Sequence, residues 1–197
     1  MRIHSIALIG FCCFIACKNA DKEKAAGKDT VTATKTAAPA QEPIINVEET
    51  TVKSMQIMTM KDSAKSTQEI GEKLGMIYGK IGECLKKCKM EMAGAPMAMY
   101  SSQTAPFYFE AGVPVAKKCD KPEAGMKNQE IKAGKAIVAH FFGPYEMTGK
   151  GYDAIVSWAK TNNKTLSGES WEVYIGDPVI IKDPYKVQTD IYMRIKE

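Results

Sequence analysis

Two stretches of this chain align on each other without a gap. Gly94-Ala-Pro-Met-Ala-Met-Tyr100 lies over Gly168-Glu-Ser-Trp-Glu-Val-Tyr174, 74 residues further on, and the same offset sets Tyr78 on Tyr152 and Ile81 on Ile155. The last strands of the two halves also correspond, Glu110 over Asp190 and Val115 over Ile195. A unit of this length used twice is one supersecondary module, and the pair buries a core that neither could bury alone. The copies differ at one position that matters. Where the first has Ala98 the second has Glu172, a charge inside an otherwise apolar strand.

Within each copy the patterning gives the elements. Val47 to Met60 alternates and reads as a long strand, and Ser66-Thr-Gln-Glu69 has the form of a capping box. Ile70, Leu74, Ile77, Tyr78, Ile81 and Leu85 then recur at helical spacing. Gly71, Gly75, Gly79 and Gly82 share a neighbouring stripe of that helix. Each glycine costs roughly 0.8–1 kcal/mol against alanine in a helix interior, so close approach by the sheet or by the second helix is expected there; a merely exposed stripe is the alternative. Strands follow over Pro96–Ser101 and Phe107–Val115. The second copy repeats the order: a strand over Glu130–Phe142, a turn at Gly143-Pro144-Tyr145, and a helix carrying Tyr152, Ile155, Val156 and Ala159. Strands over Trp171–Ile175 and Gln188–Ile195 complete it. The reading is an α+β domain, a duplicated β-α-β-β module, with repeat one over 44–119 and repeat two over 127–197.

The N-terminal end is read as an address. Arg2 precedes an unbroken run of apolar and small residues from Ile6 to Ala16, too short to span a bilayer as a mature helix. It ends Phe14-Ile15-Ala16-Cys17, which resembles a bacterial lipobox and implies cleavage before Cys17 and acylation of that residue. Residues 1–16 are then a lipoprotein signal peptide, and the protein is held in the cell envelope, anchored to a bacterial membrane. Residues 17–43 are rich in Lys, Ala, Thr, Asp and Glu, a composition that cannot offset ordering entropy by burial. They are expected to form a tether whose ends lie about 30 Å apart.

Charge and residue counts remove several chemistries. A net charge of +4, from 27 Lys and Arg against 23 Asp and Glu, is mild and interspersed, with no case for nucleic acid. Once the signal has left, His140 is the only histidine, so histidine triads and multi-histidine metal centres are nearly excluded. Cys17 takes the lipid, leaving Cys84, Cys88 and Cys119 in an oxidising compartment. One disulfide from Cys119 to either helix cysteine is expected, with one thiol left over. A three-cysteine metal centre would lack a fourth ligand; no metal and no cofactor is expected.

Four motifs in order carry a likeness. Phe109-Glu-Ala-Gly-Val-Pro-Val115, His140 with Gly143-Pro-Tyr-Glu146, Trp171-Glu-Val-Tyr174 with Gly176-Asp-Pro178, and Thr189-Asp-Ile-Tyr192 resemble the GyrI-like small-molecule-binding domain. This domain is also the effector-binding part of AraC-type and multidrug-responsive regulators. The resemblance covers the chain from Ile44 onward, departing at Arg194, where the family usually has proline. It implies a mostly antiparallel sheet built from two modules about a pseudo-two-fold, both helices on one face, and a ligand groove on the other. It also implies a functional glutamate at Glu172. No DNA-binding segment is seen ahead of the domain, which argues against a direct transcription-factor role.

Strand parity can be read beside that likeness. Side chains alternate across a strand, so Trp171, Val173 and Ile175 share one face and Glu172 and Tyr174 the other. The apolar set is expected against the helices, which places Glu172, Tyr174, Tyr100 and Ala98 in the groove as ligand-binding residues. Aromatic walls around one carboxylate suit a flat, lipophilic, often cationic molecule. Tyr145 and Tyr152 read as packing residues, Trp171 as core, and His140 as a strand residue with a satisfied hydrogen bond. The leading expectation is a membrane-tethered binder of small lipophilic molecules. The alternative is a hydrolase of a reactive electrophile that uses Glu172 as base. Some haem-binding proteins of similar fold suggest a reading with His140 as axial ligand, for which no Soret band is expected. A structural or protein-binding lipoprotein would instead show a groove filled by its own side chains.

Overall fold

The computed structural model of the chain describes residues 41–102 and 104–196; the signal run, Cys17 and the tether up to residue 40 lie outside them. The long strand expected over Val47–Met60 forms, broken once, as β1 (Ile44–Val52) and β2 (Met55–Ala64). Its partner from the second copy is broken at the facing point, into β5 (Met126–Ile131) and β6 (Gly134–Phe142). Val52 pairs with Gly134 and Met55 with Ile131, so one antiparallel register runs through both breaks.

The remaining strands are β3 (Met97–Tyr100), β4 (Phe107–Val115), β7 (Leu166–Tyr174) and β8 (Gln188–Ile195). All pair antiparallel in the order β1-β6-β8-β7-β3-β4-β2-β5. Both ends of that order are halves of the same ribbon, so the sheet curls back on itself. The two copies meet at its centre through β3 and β7, where Ala98 pairs directly with Glu172. The positions matched by the internal repeat are therefore neighbours across the pseudo-two-fold.

Helix α1 (Thr67–Lys87) begins as its capping box dictates: the Ser66 hydroxyl accepts from the Glu69 N–H at 3.2 Å, and the Glu69 carboxylate accepts from the Lys65 N–H at 2.7 Å. Its apolar stripe packs with Met58, Phe109, Ala111, Val113 and Ala98. Helix α2 (Gly149–Thr161) follows a single 3₁₀ turn at Tyr145–Met147 and packs its Ile155 and Ala159 on Ile137, Ala139, Phe141 and Ile191. The glycine stripe of α1 does not serve close approach. A Cβ added at Gly71, Gly75, Gly79 or Gly82 would meet nothing within 4 Å, so the stripe faces outward.

Directly paired residues share a sheet face, and one row crosses all eight strands: Val47, Ala139, Ile191, Glu172, Ala98, Ala111, Met60 and Met126. Members of this row pack against both helices. Glu172 is its one charged member. A third cluster, Val52, Ile57, Met97, Ile131, Ala136 and Trp171, fills the other face, where the ribbon wraps over the central strands. Cys119 is bonded to Cys88, and Cys84 remains a buried thiol. Among the described residues no helix is long and apolar enough to cross a membrane.

Candidate functional site

Glu172 leaves β7 toward the helices, 3% exposed, at the middle of the sheet. Three hydroxyls donate to its carboxylate. Tyr174 reaches Oε2 at 2.9 Å, Tyr145 reaches the same oxygen at 3.1 Å, and Tyr152 reaches Oε1 at 3.0 Å. Tyr100 closes a second ring, its hydroxyl 2.7 Å from that of Tyr145 and 3.0 Å from that of Tyr174. Tyr78 packs edge-on against Tyr174 and donates to the Met97 carbonyl at 3.0 Å. Ala98, fully buried, stands directly opposite Glu172 on the neighbouring strand.

The four residues expected to act together do share one face, but it is the other face from the one expected. The Trp171 set points away from the helices, and Glu172, Tyr174, Tyr100 and Ala98 point toward them. Alternation fixes which residues travel together; it does not say which side a helix covers when a central strand is buried on both. Trp171 is core as read, 5.1 Å from the parallel ring of Tyr192 and with the Arg194 guanidinium 5.0 Å above it. The opposite face does carry a hollow of about 660 Å³, lined by Val52, Met55, Met97, Trp171, Val173 and Tyr192. None of the four expected ligand residues lines it.

Tyr145 and Tyr152, read as packing, are carboxylate donors. The signal that could have found Tyr152 was already in the repeat, since the 74-residue offset pairs Tyr78 with Tyr152 and Tyr100 with Tyr174. All four converge beside the one glutamate. His140 is the hydrogen-bonded strand residue expected, with Nδ1 2.8 Å from Asp190 Oδ1 and Nε2 3.6 Å from Glu48 Oε1.

The electrostatics follow from enclosure. Burial pushes the Glu172 pKa up, and the hydroxyls of Tyr174, Tyr152 and Tyr145 pull it only part of the way back. The same burial, reinforced by the adjacent carboxylate, raises the pKa values of Tyr100, Tyr145 and Tyr174 far above the usual phenol range, so these three stay protonated as donors. Among the described residues no lysine, arginine or histidine pairs with Glu172. The arrangement is a desolvated acid enclosed by tyrosine rings and hydroxyls, with no cationic side chain paired to it among the described residues.

Residues 45–196 match the GyrI-like small molecule binding domain. The chain belongs to that family. Among solved structures, this GyrI-like domain is similar to the EcmrR C-terminal domain, with a TM-score of 0.70 at 14% identity over 78% of this chain and 99% of that one. EcmrR in its DNA complex gives 0.67 at 16% identity over 78% of this chain, which spans only 58% of that longer protein. A hydrolase from Listeria innocua gives 0.58 at 12% identity, over 81% of this chain and 94% of that one. At such identities the likeness is one of fold. No curated protein matches the chain.

Proposed function

We propose that the well around Glu172 receives a small, lipophilic, cationic aromatic molecule. The observation that carries this is a buried carboxylate with three hydroxyl donors and no cationic partner among the described residues. A lone buried charge is costly, and removing it from water is offset when a desolvated cation supplies the missing opposite charge. The surrounding rings add attraction for that cation of roughly 0.5–2 kcal/mol each. Hydrophobic character in the ligand follows from the apolar row on which the glutamate sits.

The tyrosines fill the space around Glu172 in this state, the feature expected of a structural or protein-binding lipoprotein, so the ligand-binding reading requires that a ligand displace them. Tyr145 is the donor held by the least structure, a single 3₁₀ turn between β6 and α2, and it is the expected point of entry. The N-terminal run ending Ala16-Cys17 supports a further part of the reading, that the domain is carried on a bacterial membrane by an acylated Cys17. Lipophilic ligands concentrate at such a surface.

The test is equilibrium binding of cationic aromatic dyes such as ethidium and rhodamine 6G to the full chain, beside neutral dyes of similar size. Micromolar binding of the cations is expected, weakened at least about tenfold by Glu172→Gln, while any binding of neutral dyes is little changed. Affinity for the cations should also fall as acid protonates Glu172. Failure of every dye to bind, or binding indifferent to that substitution, sinks the reading and favours a protein-binding lipoprotein whose well is permanently self-filled. One observation favours hydrolysis as a second reading: a carboxylate whose pKa is raised by burial has the property a general base requires. Turnover of an electrophilic substrate that stops in Glu172→Gln while binding persists would select it.

A further inference from the structure

Beyond Tyr78, at the C-terminal end of α1, three sulfurs meet. Cys84 and Cys88 stand one helical turn apart, Cys119 follows β4, and the three Sγ atoms all lie within 4.8 Å of one another. Cys88 and Cys119 are bonded, and Cys84 keeps its thiol with none of its surface exposed. The exposures differ in a useful way: Cys84 and Cys119 are buried, whereas Cys88 is half-buried.

A thiol held against a disulfide is placed for exchange, in which a thiolate attacks one sulfur and the other sulfur leaves. Only one new pairing is open here. Cβ atoms four residues apart on a helix are about 5–6 Å from each other, beyond the roughly 3.5–4.5 Å that a disulfide needs, so Cys84 cannot bridge to Cys88. Cys119 lies on a separate segment, outside that helical constraint, and its Sγ is within 4.8 Å of that of Cys84. The Cys119 backbone is fixed independently, its N–H donating to Asn128 Oδ1 at 3.0 Å and its carbonyl accepting from Asn128 Nδ2 at 2.8 Å, so only its side chain has to turn.

We propose that Cys84 is the internal nucleophile of a two-state disulfide relay that delivers a reactive thiol to the surface at Cys88. The Cys84 thiolate forms a bond to Cys119 Sγ, the Cys88–Cys119 bond breaks, and the proton given up by Cys84 ends on Cys88. Nothing is oxidised or reduced overall. The half-buried Cys88 then meets small disulfides and soft electrophiles. With a low-molecular-weight disulfide it gives a mixed disulfide and releases one thiol. Both states tie the same loop to the same helix one turn apart, so the fold is kept while the free thiol changes from inaccessible to accessible.

The experiment is alkylation of the oxidised full chain by iodoacetamide under native conditions at pH 6 and pH 8.5, followed by peptide mapping of label and disulfides. The expected result is label on Cys88 and a Cys84–Cys119 bond in the same molecules, forming at least about tenfold faster at the higher pH, as thiolate attack requires. Label confined to Cys84 after unfolding, with Cys88–Cys119 intact at both pH values, overturns the relay. Two variants guard the conclusion. Cys84→Ser should keep Cys88–Cys119 and lose native labelling, and Cys88→Ser should form Cys84–Cys119 and leave no thiol among the three positions. If Cys88→Ser instead shows two free thiols after the same oxidation, the second pairing does not exist and the relay is wrong.

Discussion

Glu172 and Ala98 are the same position of one module used twice, and the difference between them gives the site its polarity. Because burial raises the Glu172 pKa, the folded protein holds that proton more tightly than the unfolded chain does. The group's contribution to stability is therefore complete below the ordinary carboxylate value and is lost as pH rises through the folded-state pKa. Glu172→Gln should make the chain more stable at pH 7–8, on the order of 1 kcal/mol, with the difference shrinking toward pH 4; urea unfolding across that range measures it. A variant that is more stable yet binds cationic dyes less well is the pattern of a residue kept for function. Ala98→Glu tests the other half. It would set a second acid directly across from Glu172 in a buried row, and a loss of about 3 kcal/mol or more is expected, read from the same unfolding curves.

At the scale of the element, α1 combines a well-made start with an unfilled flank. The capping box was legible in Ser66 and Glu69, and so was the apolar stripe that packs on the sheet. The purpose given to the glycines was not, because periodicity reports which residues share a stripe and not what lies against it. Since nothing approaches an added Cβ, Gly75→Ala and Gly79→Ala should each stabilise the chain by about 1 kcal/mol through helix propensity. Together they should raise the thermal midpoint by several degrees. If α1 must loosen for the tyrosines to part, the double variant will also slow dye association; stopped-flow mixing separates that from affinity. The strands followed their alternation closely, Phe107–Val115 and Gln188–Ile195 matching the expected limits. The facing breaks at Lys53-Ser54 and Lys132-Ala133 carry no comparable mark in the sequence.

For the molecule as a whole, the ribbon shared between the two ends of the strand order sets the limits of a purely local reading. It covers the face opposite the helices, so Trp171 can be core on a side where no helix lies, and an apolar set cannot be used to infer the helix side. The disulfide acts at this scale too, tying the segment after β4 to the end of α1 across a sequence separation of 31. Loop-closure entropy assigns that link about 3–4 kcal/mol. Cys119→Ser should lose most of it in chemical denaturation, whereas Cys88→Ser should lose far less if Cys84 takes over the bond.

The order of residues alone settled the duplication, the two helices, and the strand parity that groups Glu172 with Tyr174, Tyr100 and Ala98. These rest on periodicity and on internal repetition, which are properties of the chain read along its length. Which face the acid occupies, which tyrosines donate to it, and which helix cysteine is bonded were decided only when the chain closed. Each depends on a contact between segments distant in sequence, and the balance of burial at such a contact is set by everything packed around it.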